Sequence, residues 1–364
     1  MSAQPADVSA ETRVRLQVRS HEPADDVAWD AYAQAHPGYT LYHGRVFHDA
    51  VAEAFGKPSH GLIATEGGGR IVGLLPLIRQ KSRLFGDRLV SLPYANHGGP
   101  LADSAEIAEA LFIAAARMGD ALGCGRVEVR DHEAREVDWP AHTDKVLMTL
   151  ALPESPEALG EAIGAKLRSQ CRRPLKEGAT VAHGGPELIP EFYKVFAVNM
   201  RDLGTPVYPR RWFEVLARHL GGAMRLVVVR LGDEPVAGGV LVCWKDTMEI
   251  PWAASAREFN RYSVNMLLYR EALDYAIASG CRVFDFGRST RGEGTWKFKK
   301  QWGAEERQIW WRVRAQGGAG DAVQGAGAAG EAGRMTRLLR KAWTKLPVGV
   351  AKRVGPRISG ELPW

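Results

Sequence analysis

Alternating and helically spaced apolar residues follow one another along the chain and predict two successive units that mix strands and helices. In the first unit we predict strands at residues 14–18, 88–92 and 126–130, a hairpin at 62–78, and helices at 29–35, 46–55 and 104–122. In the second we predict strands at 146–152, 247–252 and 282–286, a hairpin at 226–243, and helices after residues 153–156 and at 166–176, 190–202, 210–220 and 263–279. Each unit has the element order of a mixed sheet flanked by helices.

Part of this pattern occurs twice. Residues 62–78 align without a gap with residues 227–243, since each segment is an apolar run, a glycine turn and a second apolar run. Two further matches follow in the same order and pair residues 91–96 with 249–254 and 126–129 with 282–285. Three ordered matches predict a duplicated unit of about a domain's length, which suits a chain of 364 residues.

We therefore place a first domain at residues 13–150 and a second at 151–315. Residues 316–333 contain seven Gly and six Ala, a composition that cannot bury enough apolar surface to fold and that predicts a flexible linker. Residues 334–364 form a basic tail, whose apolar positions over 334–345 recur at helical spacing. Two interpretations of the tail stay open: it packs on the second domain, or it contacts a membrane surface or a polyanion.

Charge is concentrated in that tail. It contains eight Lys or Arg and one acid, a net charge of +7, so the preceding residues carry −1 of the chain's total of +6. The basic balance therefore does not indicate that the folded body binds nucleic acid. No apolar run is long enough to span a bilayer, and the N-terminus has no apolar signal segment, so we expect a cytoplasmic protein. The tail is a candidate peripheral contact at the inner face of the membrane.

The cysteines and histidines give no sign of a metal site. The four cysteines lie far apart, and the ten histidines form neither an HxxxH nor an HExxH pattern. This spacing suggests neither a zinc site nor a disulfide framework, so we assign no metal.

The densest chemical motif is FDFGRSTRGEGTWKFKKQWG, residues 284–303. A predicted strand runs into a Gly-punctuated loop that carries five basic residues between aromatic ones. Free backbone N–H groups and fixed cations bind phosphates or stabilise a developing oxyanion. The structural alternative is an edge strand in which Trp296, Phe298 and Trp302 face the core while the lysines face solvent. Residues 289–294 are a weak pyrophosphate signature, because they lack the leading Arg or Gln and are not expected to open a helix.

This motif closely resembles the terminal motif of FemAB-like proteins, in particular those encoded with exosortase and PEP-CTERM exopolysaccharide systems. Tyr94 with residues 98–100, the segment 199–206, and Asn265 extend the resemblance over nearly the whole chain. The resemblance implies an α/β (α+β) fold of tandem duplicated GNAT-like acyltransferase domains, each a mixed β-sheet flanked by helices. It also implies that the Phe-Lys pair at 298–299 places the lysine at the acyl-transfer centre.

The resemblance also implies the reaction. We expect a FemAB-type transferase that moves an aminoacyl or acyl group onto an amine or hydroxyl of a cell-envelope or exopolysaccharide precursor, such as a nucleotide- or lipid-linked glycan. No tightly bound cofactor is expected, and the donor is either acyl-CoA, or another small activated donor, or aminoacyl-tRNA. The helical hairpin of tRNA-using Fem enzymes is not recognisable here, which slightly favours a small donor. Two alternatives stay open: an acyl-CoA-dependent N-acyltransferase acting on a small amine, and a non-catalytic scaffold of a polysaccharide or exosortase system.

Within this interpretation, Lys299 supplies a cation to the oxyanion and Arg288 assists it, while Asp285 is either a base or the structural partner of Arg288. The candidate substrate-binding residues are Lys297, Phe298, Trp296, Tyr94, Asn96, His97, Arg168, Arg172, Lys176, Arg201 and Asn265.

Simple structural alternatives exist for several of these residues. Arg168, Arg172 and Lys176 recur every four residues on one helix face, which suits phosphate recognition or a solvated surface. Pro174 argues against an undisturbed helix there. A turn accounts for His97, and a cap and turn account for Arg201.

Overall fold

The structure, a computed structural model, describes residues 16–82, 86–315 and 331–362. Its strands are β1 (Gln17–Ser20), β2 (Leu62–Glu66), β3 (Arg70–Leu75), β4 (Ile78–Ser82), β5 (Gly86–Val90), β6 (Leu101–Ala102), β7 (Arg126–Asp131), β8 (Ala141–His142), β9 (Lys145–Ala151), β10 (Ala179–Gly184), β11 (Met224–Leu231), β12 (Glu234–Trp244), β13 (Thr247–Ser255), β14 (Val283–Thr290), β15 (Glu305–Gln308) and β16 (Trp310–Ala315). Its helices are α1 (Asp26–Ala35), α2 (Arg45–Phe55), α3 (Ala105–Ala121), α4 (Pro156–Ala162), α5 (Ala165–Lys176), α6 (Ile189–Asp202), α7 (Arg210–Leu220), α8 (Val264–Ala278), α9 (Gly294–Lys300), α10 (Glu331–Trp343) and α11 (Val348–Ser359).

The strands form three sheets. Two sheets consist mainly of strands from the first half of the chain and have the orders β1-β2-β3-β6 and β4-β5-β7-β16-β8. The third consists mainly of strands from the second half and has the order β10-β11-β12-β13-β14-β9-β15. The β5–β7 and β13–β14 pairs are parallel, while the other neighbouring strands are antiparallel. Parallel strands need a crossover connection, which α3 provides in the first half and α8 in the second.

The backbone carries a mark of the duplication. The register of hairpin β2–β3 shifts between Ala64 and Thr65, and that of hairpin β11–β12 shifts between Val229 and Arg230. These positions are equivalent when the two repeated segments are aligned. Because a β-bulge bends a strand at one defined residue, the repeated bulge supports a common origin for the two hairpins.

Two expectations about local structure are wrong. Residues 294–300 form helix α9, which begins at Gly294, the last residue of the segment that was not expected to open a helix. The alternative of an edge strand is not formed by these residues. The buried residues Lys299 and Trp302 lie three positions apart, a helical spacing that the alternation of Trp296 and Phe298 obscures. Helix α5 also continues through Pro174, which lies close enough to its end that the missing N–H does not terminate it.

Strand β16 departs from the predicted domain limits. The limits at residue 150 and residue 315 remain a prediction, but β16, which they assign to the second domain, pairs with β7 and β8 in a sheet of the first half. After the seven-stranded sheet is complete, the chain therefore adds one strand to a sheet built mainly from its first half. Of the predicted linker, residues 316–330 lie outside the described residues, and residues 331–333 belong to α10.

The tail packs against both halves. Tyr94 Oη donates a hydrogen bond to the Gly360 carbonyl at 3.0 Å, and Arg88 Nη2 donates to the Glu361 carbonyl at 3.2 Å. From the second half, Arg201 Nη1 donates to the Leu346 carbonyl at 3.2 Å. These contacts agree with the interpretation in which the tail packs on the folded body, and they involve both halves.

The other interpretation, a membrane contact, stays a prediction, although Leu338 and Leu339 of α10 are each 62% exposed. Within the described ranges, every helix is too short or too polar to cross a lipid bilayer.

Tail docking can be tested at one glycine. A Cβ at Gly355 in α11 would lie 2.9 Å from the Val207 nitrogen, so Gly355→Ala forces the tail away from the body. We expect it to weaken docking by about 1–3 kcal/mol, as overpacking does, and to speed protease cleavage of the tail. Gly349→Ala is the matched control in the same helix, because a Cβ there meets no atom within 4 Å. Equal cleavage rates for both variants would contradict the docked arrangement.

Candidate active site

Strands β13 and β14 of the seven-stranded sheet separate partway along their length, and we call the gap between them the wedge. The two strands pair only over residues 247–249 and 283–285. Beyond that point β13 continues beside β12, while β14 continues beside β9 after a register shift that follows Asp285. Gly287 has a φ of 75°, a left-handed conformation that favours glycine. The wedge therefore begins at the neighbouring positions Glu249 and Asp285.

Both carboxylates at this point are buried. Glu249 is 0% exposed and Asp285 is 4% exposed. Tyr42 Oη donates a hydrogen bond to Glu249 Oε2 at 2.7 Å, and Asn96 Nδ2 donates to Oε1 at 2.5 Å. The Gly287 N–H donates to Asp285 Oδ1 at 2.6 Å. Residues of the first half thus orient the Glu249 carboxylate, while the backbone of β14 orients Asp285.

Burial changes the protonation of the pair. Burial, reinforced by the Asp285 charge, raises the pKa of Glu249 to about 8, although the bonds from Tyr42 and Asn96 favour its ionised form. Burial also raises the pKa of Asp285 to about 6, while the Gly287 N–H and the Lys299 charge act in the opposite direction. Since two adjacent buried carboxylates resist double ionisation, the pair holds about one proton near neutral pH.

Lys299 lies beside the pair and is only 6% exposed. Its Nζ donates hydrogen bonds to the carbonyl oxygens of Gly287 at 3.0 Å and Arg288 at 2.9 Å. Burial lowers the pKa of this ammonium to about 8, and the Asp285 charge opposes that shift. Lys299 therefore supports the backbone of the wedge. Because an ammonium has three N–H donors, its predicted contact with an oxyanion can use the third.

Two adjoining cavities follow β13 away from the carboxylates. One, of about 230 Å³, lies between the two halves and is lined by Tyr94, Asn96 and Arg288 among others. The other, of about 160 Å³, lies between β13, α8 and α9 and is lined by Asn265 and Phe298 among others. Asn199 and Ala253 line both cavities. We call the two together the groove.

Part of the chain matches a known protein family. Residues 165–300 match the acetyltransferase (GNAT) domain family. No curated protein matches the chain in sequence.

Solved structures show the same fold over most of the chain. FemX superposes with a TM-score of 0.58 at 15% identity, over 81% of this chain and 96% of FemX. The tandem GNAT protein of the clavulanic acid biosynthesis pathway gives a TM-score of 0.53 at 13% identity, over 83% and 98% of the respective chains. The C-terminal domain of a putative lysylphosphatidylglycerol synthetase from Agrobacterium fabrum gives 0.54 at 14% identity, over 87% and 96%. The predicted fold, tandem GNAT-like domains with sheets flanked by helices, is confirmed.

The GNAT fold brings together seven of the predicted site residues. Those that line the groove are Tyr94, Asn96, Arg288, Asn265 and Phe298. Asp285 and Lys299 lie buried at the point of the wedge. Asp285 and Arg288 do not form an ion pair, since Asp285 accepts from the Gly287 N–H. The structural bridge suggested for these two residues is therefore absent among the described contacts.

The basic helix α5 lies away from the groove. Arg168 and Arg172 line a separate cavity of about 660 Å³ between α4, α5 and α8. Arg168 donates to the Gly160 carbonyl at 3.0 Å and also to the Ile163 carbonyl. Lys176 is exposed at the end of α5 and does not line that cavity. A role of these residues in phosphate recognition stays a prediction.

Four other predicted residues also lie outside the groove. His97 is buried between the rings of Tyr42 and His132, and burial lowers its pKa to about 3, so it is neutral near physiological pH. Arg201 is engaged by the tail. Trp296 Nε1 donates to Glu306 at 2.8 Å, and Lys297 is exposed on α9.

The sequence interpretation missed Glu249, the central acid of the site. Two signals mark it: it is a lone carboxylate between the apolar residues Met248 and Ile250, and the parallel register places it beside Asp285. A buried acid in an apolar strand indicates a functional candidate. Tyr42, its hydrogen-bond donor from the first half, carries no such signal in the sequence.

The protonation of Glu249 can be measured through stability. A folded-state pKa raised above the unfolded value means that the native protein binds the extra proton, so stability falls as pH rises towards about 8. Glu249→Gln removes this loss. We expect the free energy of unfolding of Glu249→Gln minus that of wild type to increase by about 1 kcal/mol per pH unit between about pH 6 and pH 8.

Urea unfolding at a series of pH values measures this difference. Glu191→Gln is the matched control, because Glu191 pairs with Arg230, which lowers its pKa and keeps it ionised over that range. Parallel pH dependences for wild type and Glu249→Gln would show that Glu249 is already ionised at neutral pH.

Proposed function

We propose that this protein transfers an acyl group from a thioester donor to an amine, and that the reaction occurs where β13 and β14 separate. The observation that carries the proposal is the buried pair of Glu249 and Asp285, which shares about one proton near neutral pH. Asn96 links Glu249 to the wall of the groove through one hydrogen bond. The GNAT acetyltransferase domain at residues 165–300 supports this class of reaction.

The transfer requires a group that removes a proton from the amine. The amine nitrogen attacks the thioester carbonyl carbon, a C–N bond forms, the C–S bond breaks, and the leaving thiolate takes up a proton. Glu249 suits the role of base because its pKa of about 8 is close to the working pH. Asn96 separates the carboxylate from the cavity, so the proton passes through a water molecule or after a movement of the Asn96 side chain.

The wedge suits an extended donor. Beyond Glu249, one edge of β13 is no longer paired with β14, and the cavity of about 160 Å³ follows that edge. Backbone N–H and C=O groups on an unpaired strand edge can hydrogen bond an amide-containing chain, as in strand addition. A pantetheine arm carries such amides, and we therefore propose acyl-CoA over aminoacyl-tRNA as the donor.

The buried acids also bear on the non-catalytic alternative. Burying two adjacent carboxylates is costly, and a scaffold gains nothing from them, whereas perturbed carboxylates cluster at catalytic sites. We retain an envelope or exopolysaccharide precursor as the proposed acceptor on the strength of the FemAB-like motif. The cavities are small enough that only the end of the precursor that carries its reactive amine would enter.

Transfer can be assayed as thiol release from acyl-CoA in the presence of a panel of amines. We expect wild-type activity to rise with pH towards a plateau above about pH 8, because the base must lose its proton. Glu249→Gln should lower kcat/KM by at least about 100-fold, the usual effect of removing a general base. Glu191→Gln, remote from the groove, should behave as wild type. A Glu249→Gln protein that is folded and fully active would exclude Glu249 as the base.

A further inference from the structure

One guanidinium nitrogen of Arg288, which lines the cavity between the two halves, has no hydrogen-bond partner among the described residues. Four aromatic residues line the cavity, Tyr94, Phe196, Tyr208 and Trp252. Arg288 is the charged side chain that lines it. The Arg288 guanidinium stacks over Trp311 of β16, with Cζ 4.4 Å from the ring centre. The arginine is therefore held in one orientation by an aromatic ring and not by an acid.

Nearby acids do not neutralise Arg288. Its Nη1 atom is buried and has no hydrogen-bond partner among the described residues. Two carboxylates lie close enough to affect Arg288, but Glu128 is bonded by Arg130 Nε at 2.8 Å and Asp144 lies 3.2 Å from Lys145 Nζ. Arg130 itself stacks on the same Trp311 ring at 4.2 Å. Arg288 is partly buried, and an incompletely bonded cation in such a place is stabilised by an anion in the cavity.

The position of Arg288 relates this charge to the acyl-transfer site. The preceding residue, Gly287, lies so close to Asn96 that an added Cβ would be 2.9 Å from Asn96 Nδ2. Asn96 in turn bonds Glu249. The arginine and the residue that leads to the proposed base therefore lie side by side on one wall of the same cavity.

We propose that this cavity binds an acceptor that carries a carboxylate close to its amine, as an amino acid does, and that Arg288 binds the carboxylate. The inference rests on the proposed function, since it names the class of acceptor for that site. A carboxylate fits better than a phosphate dianion, because Arg288 is the one charged side chain among the described lining residues and balances a single negative charge. A cavity of about 230 Å³ suits a group of the size of an amino acid.

The test is a binding measurement without any acyl donor. Isothermal titration of the full chain with a panel of L-amino acids, each compared with its carboxamide, isolates the contribution of the carboxylate. We expect at least one amino acid to bind about 10- to 100-fold more tightly than its amide, the effect of a charge-assisted hydrogen-bonded pair. Arg288→Gln should abolish this preference, while Arg288→Lys should reduce it because the bidentate fork is lost.

Arg291→Gln is the matched control, because Arg291 is exposed and its Nε bonds Glu306. It should keep the preference for the acid. Circular dichroism spectra establish that each variant is folded, and Arg288→Lys decides the outcome if Arg288→Gln does not fold. Equal binding of acids and amides, no binding of any acid, or tighter binding of inorganic phosphate than of every amino acid would each overturn the proposal.

A failure of this inference can be distinguished from a failure of the proposed function. Glu249→Gln should still show the preference for the acid while losing acyl transfer. If the preference is found and no amine is acylated by any thioester, the cavity binds carboxylates but the proposed reaction is wrong. If transfer occurs with amines regardless of a carboxylate, the reaction stands and the acceptor assignment falls.

Discussion

The burial of Glu249 against Asp285 is the constraint on which the rest of the site depends. Two adjacent carboxylates that are buried away from water resist double ionisation, so one of them keeps a proton. Neighbouring groups must also supply hydrogen-bond donors to the carboxylate oxygens. Tyr42 and Asn96 reach Glu249 from the first half, and the backbone of β14 turns at Gly287 to reach Asp285. The separation of β13 and β14, which opens the groove, begins at this pair.

The same contacts explain why two similar units are needed for one site. The second half contains the wedge and both acids, but the donors to Glu249 and part of the cavity wall come from the first half. Strand β16 adds to this dependence, because it leaves the second half, pairs with β7, and presents Trp311 to Arg288. The first half therefore shapes the end of the groove where we place the acceptor. Because the two copies contribute different parts of the site, their sequences are expected to differ there.

Long elements could be predicted from the sequence because their apolar periodicity is clear. Helices α3, α6, α7 and α8 and both repeated hairpins lie within a few residues of their predicted limits. Short strands such as β6 and β8 were missed, since two residues show no period. Helix α9 was misjudged because its seven residues cover barely two turns, within which an alternation of aromatics resembles a strand.

Most of the predicted residues that lie at the groove belong to one local motif, while Tyr94, Asn96 and Asn265 lie outside it. Asp285, Arg288, Phe298 and Lys299 lie within a single segment of unusual composition, and the structure places all four at or beside the groove. Glu249 was missed because what makes it unusual is a contact with Tyr42, which is 207 residues away in the chain. The structure places His97 and Arg201 outside the groove, and the burial and tail packing that engage them cannot be read from their neighbours in sequence.

Infrared spectroscopy of the carboxyl stretch tests the central claim most directly, because it observes the shared proton without a substrate. The account predicts a protonated carboxylic acid band at neutral pH that disappears with a midpoint near about 8 and is absent from Glu249→Gln. If the wild-type spectrum shows no protonated carboxyl group above about pH 6, both acids are ionised, and the pair is not the proton-holding centre described here.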